Sequence, residues 1–118
     1  MDEILLVEDD DDLRESLADL LRARGYEITA VTNGRAALQR LMSGPSPCLI
    51  ILDLMLPIMH GWEFRAQQMA NPVWAAIPVV VLSGVPDTQQ HALNLNAADF
   101  LGKPIDLERL YKTVEQHC

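Results

Sequence analysis

Five polar side chains of this 118-residue chain directly follow short apolar segments or lie close behind them: Glu8, Asp9, Asp53, Ser83 and Lys103. If they share one crevice, the three carboxylates repel one another unless a pKa rises or a cation lies among them. Oxygen ligands of this kind suit Mg²⁺, which takes one or two carboxylates and a phosphate. A hydroxyl and an ammonium are the groups that bind phosphoryl oxygens. The set therefore predicts a site that places a phosphoryl group on a carboxylate, with Asp53 as the nucleophile.

The apolar segments predict the strands that must position these side chains. Ile4–Val7, Leu49–Leu52 and Val79–Leu82 are unbroken apolar runs, which is typical of strands buried on both faces. Ile28–Val31 is a weaker run that indicates an edge strand, and Ala98–Leu101 is a short fifth. The polar residues then stand at the carboxyl ends of strands, where open parallel sheets bind ligands.

Helical patterns separate these runs. Leucines repeat at helical spacing over Leu13–Leu21 and end before Gly25, and the spacing returns over Leu107–Val114 behind Asp106, the expected N-cap. Shorter candidates are Ala37–Met42, Trp62–Met69 and Pro86–Leu95, the last with Pro86 in its first turn. The alternation predicts an α/β fold, a parallel sheet with helices on both faces.

Composition and charge restrict the function. The length corresponds to a single domain over residues 1–118, and 49% hydrophobic with 22% charged residues is an ordinary globular composition. The net charge of −8 repels nucleic acid phosphates and anionic lipids, so we expect neither direct nucleic acid binding nor membrane association. The acidic start of the chain argues against a secretory signal. Cys48 and Cys118 form neither a disulfide framework nor a zinc site, and a reducing compartment fits them best, so we expect a cytoplasmic location.

Four motifs, each at a strand end and in this order, resemble those of the response-regulator receiver domain. They are Ile4–Asp10 (ILLVEDD), Asp53–Gly61 (DLMLPIMHG), Val81–Gly84 (VLSG) and Phe100–Pro104 (FLGKP). The resemblance covers essentially the whole chain. It implies a doubly wound, flavodoxin-like fold with a five-stranded parallel sheet in the order 2-1-3-4-5.

The resemblance also implies a function. It is that of a phosphoacceptor in a two-component phosphorelay, which takes a phosphoryl group from a phosphohistidine with Mg²⁺ and then changes conformation. Such a domain assists its own phosphorylation and dephosphorylation and is not an enzyme. Its partners are a sensor histidine kinase or a histidine phosphotransfer protein, and a downstream output protein or domain.

The resemblance assigns roles in the metal site to four residues. Glu8 and Asp9 match the acid pair that holds Mg²⁺, with Asp9 as the more direct ligand. Asp53 matches the phospho-accepting aspartate, which also binds the metal. Met55 stands where a backbone carbonyl completes the metal site.

Other residues match the phosphoryl-binding and switching positions. Ser83 and Lys103 match the hydroxyl and the lysine that bind the phosphoryl oxygens, and the peptide bond after Lys103 is usually cis in this family. Phe100 matches an aromatic switch whose rotamer follows the Ser83 hydroxyl. Met55 and Val85 occupy the rim positions that tune hydrolysis, and because both are apolar we expect slow self-dephosphorylation.

Two alternatives remain open from the sequence. An aspartyl-phosphate phosphatase of the haloacid-dehalogenase type carries a second aspartate two residues after its nucleophile, where this chain has Met55. A phosphorylation-independent interaction module would be expected to have lost Asp53 or Lys103, and both are present.

Some polar residues have simpler interpretations. Asp12 followed by Glu15 resembles a capping box, so Asp11 and Asp12 are interpreted as the start of a helix. His60, His91 and His117 show no ligand spacing and are expected at the surface.

Overall fold

Five parallel strands form one sheet in the computed structural model, which describes residues 2–56, 58–84 and 88–118, with only the backbone at 88 and 89. The strands are β1 (Glu3–Val7), β2 (Glu27–Val31), β3 (Leu49–Asp53), β4 (Val79–Ser83) and β5 (Asp99–Gly102). Their order across the sheet is β2-β1-β3-β4-β5. The fold class and the strand order that the resemblance implied are therefore confirmed.

Helices lie between successive strands, and one more follows the last strand. They are α1 (Asp11–Ala23), α2 (Gly34–Met42), α3 (Gly61–Met69), α4 (Pro72–Ala75), α5 (Thr88–Asn94) and α6 (Leu107–His117). The short α4 was not predicted; its N-cap is Asn71, whose side chain accepts hydrogen bonds from the backbone N–H groups of Val73 and Trp74. The predicted first-turn position of Pro86 lies outside the described residues. None of the described helices combines the length and the apolar character that crossing a bilayer requires.

Alternate strand residues supply two apolar layers, because successive side chains of a strand point to opposite faces. One layer joins strand residues with side chains of α2, α3 and α5, and includes Leu5, Val7, Ile50, Leu52, Leu41 and Phe64. The other joins them with α1 and α6, and includes Ile4, Leu6, Ile51, Leu17, Leu21, Leu110 and Val114. All residues of β3 and β4 are buried, whereas none of β2 is, as predicted for central and edge strands.

The register aligns the carboxyl ends of the strands. Val7 lies beside Leu52, Asp53 beside Leu82, and Ser83 beside Gly102. The residues that follow these strands therefore emerge at one edge of the sheet. The strand order reverses between β1 and β3, which is where doubly wound folds bind their ligands.

The start of α1 differs from the predicted one. Asp10, not Asp12, is the N-cap, and its carboxylate accepts a hydrogen bond from the Leu13 N–H at 3.0 Å. The difference arises because the Glu8 side chain accepts a hydrogen bond from the Asp10 N–H, which turns the chain directly after β1. Asp11 and Asp12 lie in the first turn, where acids interact favourably with the helix dipole.

Two predicted helix boundaries are confirmed, the end of α1 before Gly25 and the start of α6 behind Asp106. Gly25, with φ +95, lies two residues beyond the end of α1 in the left-handed region that glycine adopts without strain. Asp106 caps α6 by accepting hydrogen bonds from the Glu108 and Arg109 N–H groups.

The two cysteines are paired, which contradicts the premise of the expected reducing compartment. Cys48, directly before β3, forms a disulfide with Cys118 at the end of α6, with their Cα atoms 5.1 Å apart. The sequence did not predict this pair because 70 residues separate its members. They meet because α6 packs across the sheet and ends beside the amino end of β3.

Candidate functional site at the carboxyl edge of the sheet

Three carboxylates meet where β1 and β3 end. Glu8 directly follows β1 and is fully buried, Asp53 is the last residue of β3 and is 2% exposed, and Asp9 is exposed. One oxygen from each lies within 4.8 Å of the others, a separation that allows the three to share one cation. The structure thus brings together the acid pair and the acceptor aspartate that the sequence predicted.

The Lys103 ammonium reaches two of these carboxylates from β5. Its Nζ lies 2.8 Å from Glu8 Oε1 and 3.3 Å from Asp53 Oδ2. The side chain crosses the end of β4 over Gly84, where an added Cβ would lie 3.5 Å from the Lys103 Cβ. The Lys103 N–H donates to the Ser83 carbonyl at 3.0 Å, and the bond from Lys103 to Pro104 is cis, as the resemblance implied.

Burial and charge shift the protonation of this cluster. Burial raises the pKa of Glu8 to about 7, although the Lys103 ammonium and the Asp10 N–H both lower it. Burial lowers the pKa of Lys103, but close contact with Glu8 and the charge of Asp53 outweigh it, so that the pKa of Lys103 lies above its ordinary value. The carboxylates thus hold the lysine in its charged form, yet one ammonium does not balance three acids.

One oxygen of the cluster is incompletely satisfied. Glu8 Oε1 is buried and has no partner with hydrogen-bond geometry among the described residues, although Lys103 Nζ lies nearby. The Lys103 ammonium offsets the charge of this oxygen, but Asp53 shares the same ammonium, so the three carboxylates keep an excess of negative charge. Such an oxygen, beside two more carboxylates, fits the hard oxygen ligands of Mg²⁺.

The Asp53 carboxylate is held in a fixed orientation. Its Oδ1 accepts a hydrogen bond from the Met55 N–H at 3.0 Å, and its Oδ2 faces Lys103. Met55 itself leaves its side chain 55% exposed at the edge of the site, which suits a rim position. The other predicted rim residue, Val85, lies outside the described residues.

The predicted switch residues lie on two neighbouring strands, Ser83 in β4 and Phe100 in β5. Ser83 ends β4, is 1% exposed, and directly follows Leu82, the residue that lies beside Asp53 in the register. Phe100 is half-buried, lies beside Val81, and has the Arg109 guanidinium 5.1 Å from its ring centre. Its ring lines a cleft of about 160 Å³ between α5 and β5.

The three histidines differ in their exposure, whereas the sequence predicted all three at the surface. His60 is exposed, as expected. His91 is half-buried, with its ring 5.3 Å from that of Trp62 in an edge-on arrangement. His117 is also half-buried, and its Nε2 lies 3.3 Å from Asp99 Oδ2. The expectation of three surface histidines is therefore wrong for the latter two, because α5 and α6 turn them toward neighbouring elements.

Arg14 is a site-adjacent residue that the sequence analysis did not identify. Its guanidinium donates to the carbonyl oxygens of Glu8 at 3.0 Å and Asp9 at 3.4 Å. The signal for it in the sequence is a basic residue on the first helix after the acid pair, within the leucine spacing that predicts this helix.

Gly61 lets the segment after Asp53 fold back on the strand. A Cβ at this position would lie 2.8 Å from the Leu54 Cα and 3.0 Å from the Asp53 carbonyl oxygen, both backbone atoms. The Gly61 N–H also donates to the Leu54 carbonyl at 3.1 Å. A side chain here would push α3 away from the strand end that carries Asp53.

Fold and site together define a doubly wound α/β protein with a cluster of three carboxylates and a lysine at its topological switch point. The family model for the response regulator receiver domain matches residues 4–115. The chain therefore belongs to the response regulator receiver domain family, as the sequence motifs implied.

Relatives from distant organisms support this membership. The two-component response regulator ORR11 of Oryza sativa subsp. indica is 35% identical over 116 residues, which cover 94% of this chain and 79% of that protein. The signal receiver domain of a signal transduction histidine kinase from Syntrophus aciditrophicus is 34% identical with a TM-score of 0.87, covering 98% of this chain and 89% of that one.

A third similar structure contains a metal. The receiver domain of the sensor histidine kinase PA1611 from Pseudomonas aeruginosa PAO1 has a magnesium ion coordinated in its active site cleft. It has a TM-score of 0.89 and 24% identity, and covers 98% of this chain and 96% of that one. At this identity the likeness shows the shared fold. The family model and the 35% identical relative show that this chain is a receiver domain of two-component signalling.

We predict that Gly61→Ala lowers the free energy of unfolding by about 1–3 kcal/mol, because backbone atoms must move to admit the Cβ. Gly44→Ala is the matched control, since its Cβ would meet only the end of the Arg40 side chain at 3.5 Å. Urea denaturation of both variants measures the difference. Equal stability of the two variants would show that the close approach at Gly61 does not matter.

Proposed function

We propose that Asp53 accepts a phosphoryl group from a phosphohistidine of a sensor histidine kinase or a histidine phosphotransfer protein. The observation that carries the proposal is the fixed Asp53 carboxylate, with the Met55 N–H on one oxygen and the Lys103 ammonium on the other. A nucleophile held in this way loses little freedom when the donor arrives. The family membership supports the same role.

The proposed transfer is a displacement at phosphorus. An oxygen of Asp53 forms the new P–O bond while the P–N bond to the donor imidazole breaks, and the imidazole nitrogen keeps the electron pair. Lys103 offsets the negative charge of the phosphoryl oxygens, and the Ser83 hydroxyl donates a hydrogen bond to one of them. The chain thus assists its own modification, and we do not assign it an enzymatic activity on a separate substrate.

We propose Mg²⁺ as the cofactor of this step. The supporting observations are three carboxylate oxygens within 4.8 Å of one another and the single Lys103 ammonium that Glu8 and Asp53 share. The residues that would hold the ion are Glu8, Asp9, Asp53 and the backbone carbonyl of Met55. When bound, Mg²⁺ would supply positive charge that offsets the repulsion between carboxylates and phosphoryl oxygens.

The output would arise at the face formed by the last two strand–helix units. We propose that a phosphoryl group on Asp53 draws the Ser83 hydroxyl toward it and that Phe100 then moves into the space left, so that a downstream output protein or domain binds differently. The phosphoryl group must bind one conformation better than the other to shift the population. In this proposal residues 1–118 act as one domain without direct contact to nucleic acid or membrane. The proposed cytoplasmic location rests on the membership of the receiver family, because the Cys48–Cys118 disulfide removes the argument from unpaired cysteines.

The two alternative functions lack support from the site. A haloacid-dehalogenase-type phosphatase requires an acid two residues after the nucleophile, and Met55 there presents only an apolar side chain and its backbone. An interaction module with a relic pocket has no reason to keep Lys103 beside two buried carboxylates, because buried charges are costly.

A small phosphodonor with Mg²⁺ should add one phosphoryl group to the wild-type protein and none to Asp53→Asn, because the amide is not a nucleophile of comparable strength. Intact-protein mass spectrometry measures the addition. Asp12→Asn is the matched control, since Asp12 is exposed on α1, and it should be modified like the wild type. Unchanged phosphorylation of Asp53→Asn would mean that another residue is the acceptor.

The apolar Met55 side chain should keep the phosphorylated state long-lived, because it cannot hydrogen-bond a water in line with phosphorus. Met55→Asn should accelerate the decay of the phosphoprotein about tenfold, the effect expected of one additional hydrogen bond in the transition state. Phosphoprotein is followed after donor removal at constant Mg²⁺, with Met69→Asn at the far end of α3 as the control. Equal decay in all three proteins would remove Met55 from control of the hydrolysis.

A further inference from the structure

Arg14 binds the backbone that carries the acid pair. Its Nη1 lies 3.0 Å from the Glu8 carbonyl oxygen and 3.4 Å from that of Asp9, and its side chain is 15% exposed. Its Nη2 lies 2.6 Å from Asp11 Oδ1, which fixes the guanidinium from the other side. The planar guanidinium suits this task, because its donors point in fixed directions.

The turn between β1 and α1 is therefore held from two directions. On the side of the site, Glu8 Oε2 accepts a hydrogen bond from the Asp10 N–H at 3.0 Å. On the outer side, Arg14 engages the carbonyls of Glu8 and Asp9. These two carbonyl orientations set the peptide planes on either side of the Asp9 Cα, and with them the direction in which the exposed Asp9 side chain leaves the backbone.

We propose that Arg14 is a positioning residue for the divalent cation: it preorganises the Glu8 and Asp9 carboxylates without itself touching the ion or the phosphoryl group. The inference rests on the proposed metal site. Preorganisation matters here because a cation binds more tightly when its ligands need not be ordered on binding.

The direction in which the Mg²⁺ affinity changes when Arg14 is removed distinguishes a positioning role from a purely electrostatic one. Arg14 carries a positive charge near a site for a cation, so by Coulomb repulsion alone its removal would tighten Mg²⁺ binding. If Arg14 positions the ligands, its removal weakens binding instead. A purely structural role would lower stability and leave the affinity of the folded protein for Mg²⁺ unchanged.

Arg22 provides a matched control on the same helix. It also donates to a backbone carbonyl, that of Ile28 at 3.1 Å, and also lies near an acid three residues earlier, Asp19 at 3.8 Å. It differs in being near the carboxy-terminal end of α1, away from the acid pair, with a side chain that is 53% exposed.

The test is calorimetric titration of Mg²⁺ into the wild type, Arg14→Met, Arg14→Lys and Arg22→Met, with circular dichroism to establish that each is folded. We expect Arg14→Met to weaken binding about tenfold, the cost of losing charge-assisted hydrogen bonds that fix the ligands. Arg14→Lys should recover part of the affinity, because an ammonium can donate to one of the two carbonyls. Arg22→Met should bind like the wild type.

Phosphorylation by a small donor gives a second readout. Arg14→Met should need about tenfold more Mg²⁺ for half-maximal rate, while its rate at saturating Mg²⁺ approaches that of the wild type, because the acceptor and Lys103 are intact. If Arg14→Met does not fold, the same comparison is made with Arg14→Lys, for which weaker binding than in Arg22→Met supports the inference.

Three results would overturn the inference in distinguishable ways. Equal Mg²⁺ affinity of the folded Arg14 variants and Arg22→Met would refute the positioning role while leaving the metal site in place. Tighter binding by the Arg14 variants would mean that charge, not position, dominates. Absence of Mg²⁺ binding by the wild type would refute the proposed cofactor itself and the inference with it.

Discussion

The ion pair between half-buried Lys103 and the buried carboxylates of Glu8 and Asp53 is the interaction on which the rest of the structure depends. Removing such charges from water costs several kcal/mol each unless they are paired closely. Close pairing requires that β1, β3 and β5 end level with one another and that β4, with Gly84, leave a path for the lysine side chain. The sheet order and register are thus the conditions under which this polar cluster can exist inside an apolar fold.

The same pair leaves the site with an excess of negative charge. One ammonium faces three acids, and burial raises the pKa of Glu8 to about 7, so the pocket favours any additional positive charge. A divalent cation would offset the repulsion between the carboxylates. A phosphoryl group on Asp53 would add negative charge again, and its oxygens would compete with Glu8 for the Lys103 ammonium. In the proposed function, a lysine and a cation that share the same oxygens would couple the modification of Asp53 to the position of β5, and therefore to Phe100.

The sequence predicted those features that depend on local pattern or on strand ends. Unbroken apolar runs predicted β3 and β4. The polar residues after them predicted the cluster, because a parallel sheet brings the carboxyl ends of its strands to one edge for any loop conformation. The cap of α1 was predicted at Asp12 instead of Asp10, since the Glu8 side chain, not helix propensity, decides where the chain turns. The Cys48–Cys118 pair and the contact of Arg14 with the acid pair were missed, because both depend on how a helix lies against the sheet and not on sequence spacing.

The most direct test of the shared charge is the Mg²⁺-dependent rise in melting temperature of the wild type, Lys103→Met and Asp53→Asn, at a pH above the Glu8 pKa of about 7. For the wild type, Mg²⁺ at a hundredfold excess over its dissociation constant should raise the melting temperature by roughly 10 °C. We expect a larger rise in Lys103→Met at the same Mg²⁺ concentration, because the cation then meets carboxylates that no ammonium offsets, and a smaller one in Asp53→Asn, which has lost a charge. The same rise in all three proteins would contradict a site in which Lys103 and the cation share the carboxylates.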